Sequence, residues 1–473
     1  MPSRRQVLTT IGALTVAGCA AGPQSENQPT QESQVTATTT DNPHSSTVEV
    51  MTDLSSENWQ QEWEQKIVPG FESQSDLTVN VRYPPRYPSE LRDRANRGDF
   101  PEVFHGTSLE VANYIVEDQT QAVDGFVSSL TDANGPLISD HSIRGPDATH
   151  LVPHGLSMMV FNYRSDIYNQ LGLSVPTTWS ELLENTQAIA ESDQVDTAGF
   201  AVPATDIDTK PREDFLTWLY SAGGHLWRWT NESETAVEPA FEMEPVQAAL
   251  EQMRNLRTYS PDAQYLGYTG TISEWLSGNV AQCLFPNASL AGFNYDPSHP
   301  NAVSIATNTR QAAVPLRDST LSPPTRGRTW VTGTPLFQGI NTSGAEEFLT
   351  YLYGGPAAQA ARNGVNTQYL PPYEGIIELD AYQNSRIYQV EDGHFWELEQ
   401  TLLNEVSPEY RGSRPRTPAA WYAMQGPSLG DDPSVLNQMV RAIVVDENQI
   451  REEISRAQDR LQSRLEEGQR RSK

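Results

Sequence analysis

Short β-rich runs alternate with amphipathic helical segments along this chain, and that alternation is the tightest constraint on its fold. STVEVM reads as a strand. The stretch after it places Trp59, Trp63, Ile67 and Phe71 on one stripe at four-residue spacing, as in a helix with one apolar face. LTVNVRY is a strand, YPSELRDRANRG a helix closed at Gly98, PEVF a strand and LEVANYIVED a helix. A βαβαβα order needs crossover connections, so the strands run parallel with helices on the sheet faces.

A second series opens at LSMMVFNY. In PTTWSELLENTQAIAES, Pro176 lies near the helix entry, and Thr178 and Glu181 have the spacing of a capping box. AGFAVP, VAQCLF, AVPLR and WVTGTPLFQGI read as strands. REDFLTWLYSAGG, EPVQAALEQMRNL and GAEEFLTYLYGGPAAQAA read as helices, the first ended by glycines. Between Asp446 and Gly468, the residues Ile450, Ile454, Leu461 and Leu465 share one face, which makes a surface helix packed onto the body. Roughly 425 residues carry the pattern, room for two or more domains.

The first residues are of another kind. Arg4 and Arg5 precede a short apolar run from Val7 to Gly18. A bilayer span needs roughly 20 apolar residues, so this run is too short to be one. It reads instead as an export signal over residues 1–18, of the twin-arginine kind. Val16-Ala17-Gly18-Cys19 is similar to a lipoprotein processing site, where cleavage leaves Cys19 first and its sulfur takes a lipid. Residues 19–46 are rich in Ser, Thr, Gln, Asn and Pro and form the expected disordered tether. The only contact with a membrane would be the lipid. The second cysteine, Cys283 in VAQCLF, is expected to be a free buried thiol.

Among 473 residues, 61 are acidic and 32 basic, a net charge of −29. Nucleic acid and anionic membrane surfaces are poor partners for such a chain. Lysine occurs only at Lys66, Lys210 and Lys473. At 1 M salt the screening length is about 3 Å, so the self-repulsion costs little there. The composition resembles that of proteins from halophilic archaea.

Several kinds of chemistry lack their motif. There is no GxxxxGK[ST], GxGxxG or HExxH. EDGHFWELE brings Asp392, His394 and Glu397 close in sequence without a second ligand cluster, so it reads as a solvated helix start and no metal is expected. No cofactor is implied. No carboxylate pair stands out as a glycosidase acid and base. Aromatics are more informative. Trp59, Trp63, Trp179, Trp218 and Trp275 fall on helices and belong to the core. Trp330 in RTWVTG, Tyr373 in LPPYEG, and Trp421 with Tyr422 in TPAAWYAM fall where a loop or strand end is expected. Aromatic faces beside hydrogen-bonding groups suit a neutral polyhydroxylated ligand.

Together these segments resemble the extracellular sugar-binding proteins of ABC importers, the solute-binding family that includes maltose binders. GDFPEVFHGTS is similar to that family's third-strand loop. VPHGLSMMVFNYRSDIYNQLGLSVPTTWSELL is similar to its hinge crossing, and SEWLSGNVAQCLFPNAS to its helix, strand and cleft loop. GAEEFLTYLYGGPAAQAA resembles the later crossover helix, and TPAAWYA the aromatic pair beneath the sugar. The resemblance implies an α/β fold of two lobes, each a mainly parallel sheet flanked by helices, with the ligand between them. The lobes would be 47–155 with 310–362, and 156–309 with 363–468. It implies substrate contacts from Asp53, Glu57, His105, Ser108, His154, Asp214, Phe215, Asn287, Ser289, Trp421 and Tyr422. His105 and Ser289 stand where maltose binders carry tryptophan, which allows a smaller or different sugar. The partners implied are a sugar and the permease subunits of an ABC transporter, served by a monomeric protein without catalysis. Two alternatives stay open. One is a binding protein for glycerol phosphate or a polyamine, with Arg411, Arg414 and Arg416 crowding one loop. The other is a surface-anchored polysaccharide-degrading enzyme.

Overall fold

The computed structural model describes residues 46–52, 60–61, 63–84, 87–104, 106–138, 148–206, 208–231, 236–241, 243–287, 289–292, 302–321, 329–353, 370–377, 379–380, 418–425 and 434–471. The expected signal and the tether up to residue 45 lie outside these.

Thr47–Met51 (β1) pairs on one side with Thr78–Arg82 (β2) and on the other with Val103–Phe104 (β3). Both pairings are parallel, in the order β2-β1-β3, as the βαβαβα pattern requires. The connection from β1 to β2 contains a π-helical turn, Trp63–Ile67, running into the short helix Val68–Glu72. Trp63 and Phe71 are buried there, and the Phe71 ring meets Phe348 edge-on at 5.0 Å and 82°. The helix Tyr87–Ala95 follows β2, and Gly98 closes it with φ at +68°, which glycine adopts without strain.

A second sheet is built on one long strand. Gly106–Thr107 (β4) leads into the helix Ser108–Val116, and Val152–Arg164 (β5) follows the helix Asp124–Asn134. Trp227–Trp229 (β6) and Val237–Pro239 (β7) form a small hairpin apart from it. Gln282–Pro286 (β8), Thr309–Ala312 (β9) and Thr329–Thr334 (β10) complete the sheet, ordered β4-β10-β5-β8 with β9 also on β5. Its ladders are antiparallel. The eleven residues from Val152 to Asn162 are all buried, so β5 is covered on both faces.

The apolar interior falls into two bodies joined by β5. One gathers Val48, Val50, Trp63, Phe71, Val103, Phe348 and Tyr353, with Phe104, Leu151, Leu156 and Phe337 beside them. The other gathers Phe161, Trp179, Phe200, Phe215, Trp218, Leu250 and Ile443, with Trp275 and Cys283 beside them. Trp63, Trp179, Trp218 and Trp275 are core residues, and Trp59 lies outside the described residues. The helix Ile450–Arg471 buries Ile450, Ile454, Leu461 and Leu465 against the second body. It approaches the helix Pro418–Gln425 so closely that a Cβ on Gly468 would lie 3.0 Å from Ala419 Cα.

Four features differ from expectation. AGFAVP is not a regular strand; it makes one parallel bridge, Ala198 with Val280. AVPLR is not a strand either. The ladder lies just before it, in β9, and Leu316 adds a single bridge to Thr178. Residues 309–314 therefore pair and pack largely with the second body, although 310–362 was the expected first-lobe segment. Conversely Leu370, Tyr373 and Ile376, expected in the second lobe, pack in the first body.

Candidate functional site

The helix Lys210–Ser221 is buried along its whole length; its first turn carries Lys210, Arg212 and Glu213, and Asp214 follows directly. Pro211 fits the helix start because the missing N–H would be unpaired there anyway. The cations do not fit, since the helix dipole favours negative charge at this end. Neighbouring acids hold them. Lys210 Nζ donates to Asp214 Oδ1 one turn along, with both side chains about 1% exposed. Asp208 accepts the N–H of Lys210 at 2.9 Å and the N–H of Tyr268 at 2.8 Å. The Tyr268 hydroxyl donates to Glu213. Arg212 Nη2 stands 3.9 Å from Glu213 Oε1.

Distant elements close the cluster. Asn437 Oδ1, on the helix Val435–Val444, accepts the Arg212 N–H at 3.0 Å. Asn437 Nδ2 donates to the Asp208 carbonyl at 2.6 Å. The Lys210 ammonium lies 5.7 Å from the Phe285 ring and 5.9 Å from the Tyr268 ring. A Cβ at position 267 would fall 1.7 Å from Asp208 Oδ2, so any larger residue there would displace this carboxylate.

Burial pushes the Asp214 carboxyl up to about 7, with Glu213 and Asp208 adding to the rise and Lys210 opposing it. Burial also raises Asp208. Oδ2 of Asp214 accepts no hydrogen bond from any described residue. The cluster thus buries acid oxygens and cationic donors side by side, largely paired with one another. Such groups can hydrogen-bond a polar solute strongly. The nearby Cys283 thiol is fully buried and its pKa is raised, which leaves it unreactive.

The residues singled out in the sequence fall in several places. Asp214 and Phe215 belong to this helix, with Phe215 in the second core. Phe285, beside Lys210, leads through Pro286 to Asn287 and Ser289, both buried. The Ser289 hydroxyl donates to the Pro286 carbonyl at 2.7 Å. His154, on β5, stacks on Tyr353 at 6.0 Å and 10°. Tyr373 is fully buried in the first core rather than at a cleft surface. Tyr422 is buried as well, and Arg471 lies 5.4 Å over its ring. Ser108 opens its helix, Trp330 sits on β10 opposite Ser157, and Trp421 is on the helix Pro418–Gln425. Asp53, Glu57 and His105 lie outside the described residues, as do Asp392, His394 and Glu397 and the Arg411–Arg416 loop. Among the described residues no group of three His, Cys, Asp or Glu could hold a metal ion, and no helix is long and apolar enough to cross a membrane.

Sequence reasoning missed Lys210, Glu213, Asp208 and Tyr268. One signal pointed to them: Lys210 is one of three lysines in the chain and stands in the first turn of a helix, where a cation is disfavoured.

Residues 55–359 match the family described as bacterial extracellular solute-binding protein. The chain belongs to that family. The fold of this solute-binding protein is also that of solved type II binding proteins. An ABC-transporter solute-binding protein from Agrobacterium radiobacter K84, in complex with ribitol, superposes with a TM-score of 0.69 at 15% identity. That match covers 88% of this chain and 98% of the other. The T. maritima MalE3 with bound maltose gives a TM-score of 0.68 at 15% identity, over 88% of this chain and 98% of the other. A solute-binding protein from Thermotoga lettingae TMO, bound with α-D-tagatose, gives 0.68 at 15% identity, over 89% and 99%. No curated protein matches the chain.

Proposed function

We propose that this solute-binding protein captures a sugar or polyol for an ABC importer, without catalysis. One observation carries the reading. The fold is shared along almost the whole chain with proteins whose bound molecules are ribitol, maltose and tagatose. The chemistry of the Lys210 cluster agrees with it. Each hydroxyl of a polyol is both donor and acceptor, and a buried site binds it best when both roles are met. Glu213 and Asp214 supply acceptors, and Lys210 and Arg212 supply donors. In this reading the solute lies between the lobes, against this helix turn on one side. Asp53, Glu57, His105 and Ser108 contribute from the other, with Trp330 and Trp421 as stacking faces. Cys19 carries the lipid that keeps the receptor beside its permease, after export by the twin-arginine route.

Thermal unfolding in molar salt with ribitol, maltose, tagatose, glycerol phosphate and spermidine tests the reading. A true ligand stabilises by about 2.7 kcal/mol at a hundred times its dissociation constant. Stabilisation by glycerol phosphate or spermidine alone would replace the sugar reading. Release of reducing ends from polysaccharide would replace it with hydrolysis.

A further inference from the structure

β5 changes partners in mid-strand. Val152 to Met158 pair with β10, whereas Met159 to Arg164 pair with β8 and β9. Its two faces serve the two bodies: Leu156, Met158 and Val160 enter the first, and Met159 and Phe161 on the opposite face enter the second. Asn287 sits at this exchange. It follows the last residue of β8, is fully buried, and has φ at +44°. Its N–H donates to the Met158 carbonyl at 2.9 Å, and its Oδ1 accepts the Met158 N–H at 2.8 Å. Those two bonds reproduce the pair that one more residue of β8 would make. Nδ2 reaches further along and donates to the Leu156 carbonyl at 3.3 Å. The Asn287 carbonyl accepts from Gln311 Nε2 of β9. Gln311 Nε2 also donates to Asn162 Oδ1 at 3.2 Å, and Asn162 Nδ2 donates to the Phe285 carbonyl at 3.3 Å. Three uncharged amides therefore tie β5, β8 and β9 together where the strand exchanges its ladder partners.

We propose that Asn287 is the pivot on which the two bodies move: a positioning residue, not a solute contact. Both polar atoms of its side chain are taken up by the β5 backbone. An amide side chain swivels about its own torsions more freely than a backbone ladder bends. It can hold Leu156 and Met158 through a rotation that a regular β8 extension would resist. The proposal rests on the solute-binding reading for the use of the motion only.

The test is Asn287→Gly in the full chain. Glycine adopts positive φ without strain and keeps the backbone bond to Met158, but it lacks the side-chain bonds. Without any solute, hydrogen exchange across 156–160 should accelerate roughly tenfold, or about 1.4 kcal/mol. Exchange in the helices Lys210–Ser221 and Thr342–Tyr353 should not change. Small-angle scattering should show a wider spread of lobe separations. Gln311→Met should do the same more weakly. Parental exchange at 156–160 would overturn the proposal. So would equal acceleration in both bodies, or loss of cooperative folding, since either makes Asn287 a general structural residue. Titration with maltose and ribitol separates the two readings. A parent that binds neither, with local acceleration in the glycine variant, leaves the pivot standing and removes the sugar.

Discussion

At Asp214, burial works against ionisation, and the consequence can be signed. The carboxyl has an ordinary value of 3.8 and is raised to about 7 in the fold. Between those values the folded chain holds a proton that the unfolded chain has released. This group's contribution to stability is complete below the lower value and is lost as pH rises through the upper one. The loss is on the order of a few kcal/mol, and Lys210 reduces it. Asp214→Asn should therefore flatten the fall in urea-unfolding stability between those two pH values, compared with the parent at each pH. An unchanged slope would place the titration elsewhere. Glu49 and Asp318 work in the opposite sense. Burial raises Glu49, but hydrogen bonds and charge from Arg94 and Arg82 outweigh it and leave it lowered. Asp318 is lowered first by hydrogen bonds from Thr320. Only the difference between the variant and the parent isolates Asp214.

The helix Trp179–Ala190 shows how far local chemistry reaches. The Thr178 hydroxyl accepts the Glu181 N–H at 3.4 Å, and Glu181 Oε2 accepts the Thr178 N–H at 3.2 Å, which completes the capping box. The Trp179 indole then donates to the Ser221 hydroxyl at 3.2 Å and to the Pro315 carbonyl at 3.1 Å. The cap thus fixes the helix end that carries this anchor. Thr178→Ala should destabilise the protein by about 1 kcal/mol, read by denaturant unfolding, without altering solute affinity. A loss of affinity larger than the loss of stability would mean that this helix end reports to the site.

At the scale of the molecule, net charge and the expected anchor set the predictions. With a charge of −29, stability should rise steeply between low and molar salt, as repulsion is screened and apolar burial strengthens. The ion pairs do not reverse this trend, because many are exposed: Arg228 with Glu238 is 64% and 46% exposed, and Arg456 with Glu452 62% and 67%. A midpoint that stays level across the range would remove the halophilic reading. Cys19→Ser should leave the protein exported but no longer in the membrane fraction. Retention there would show that another feature holds it.

The sequence by itself determined what depends on near neighbours along the chain. The three-to-four-residue stripe of Ile450, Ile454, Leu461 and Leu465, the cap at Thr178, the helix stop at Gly98 and the buried tryptophans follow from local backbone bonding and side-chain periodicity. The order of elements was enough to require the parallel sheet of β1, β2 and β3. Pairing that joins remote segments was decided only by tertiary structure. AGFAVP and AVPLR have strand composition, yet β5 offers its edges to β8, β9 and β10, and the other segments are left with single bridges. Tyr373 has the composition of a loop aromatic and becomes core because the first body closes over it. The Lys210 cluster exists because Asn437 reaches Arg212 across 225 positions. Whether a charge is buried, and which carboxylate meets it, is set by such long-range contacts, because desolvation depends on everything packed around the group and not on its neighbours in sequence.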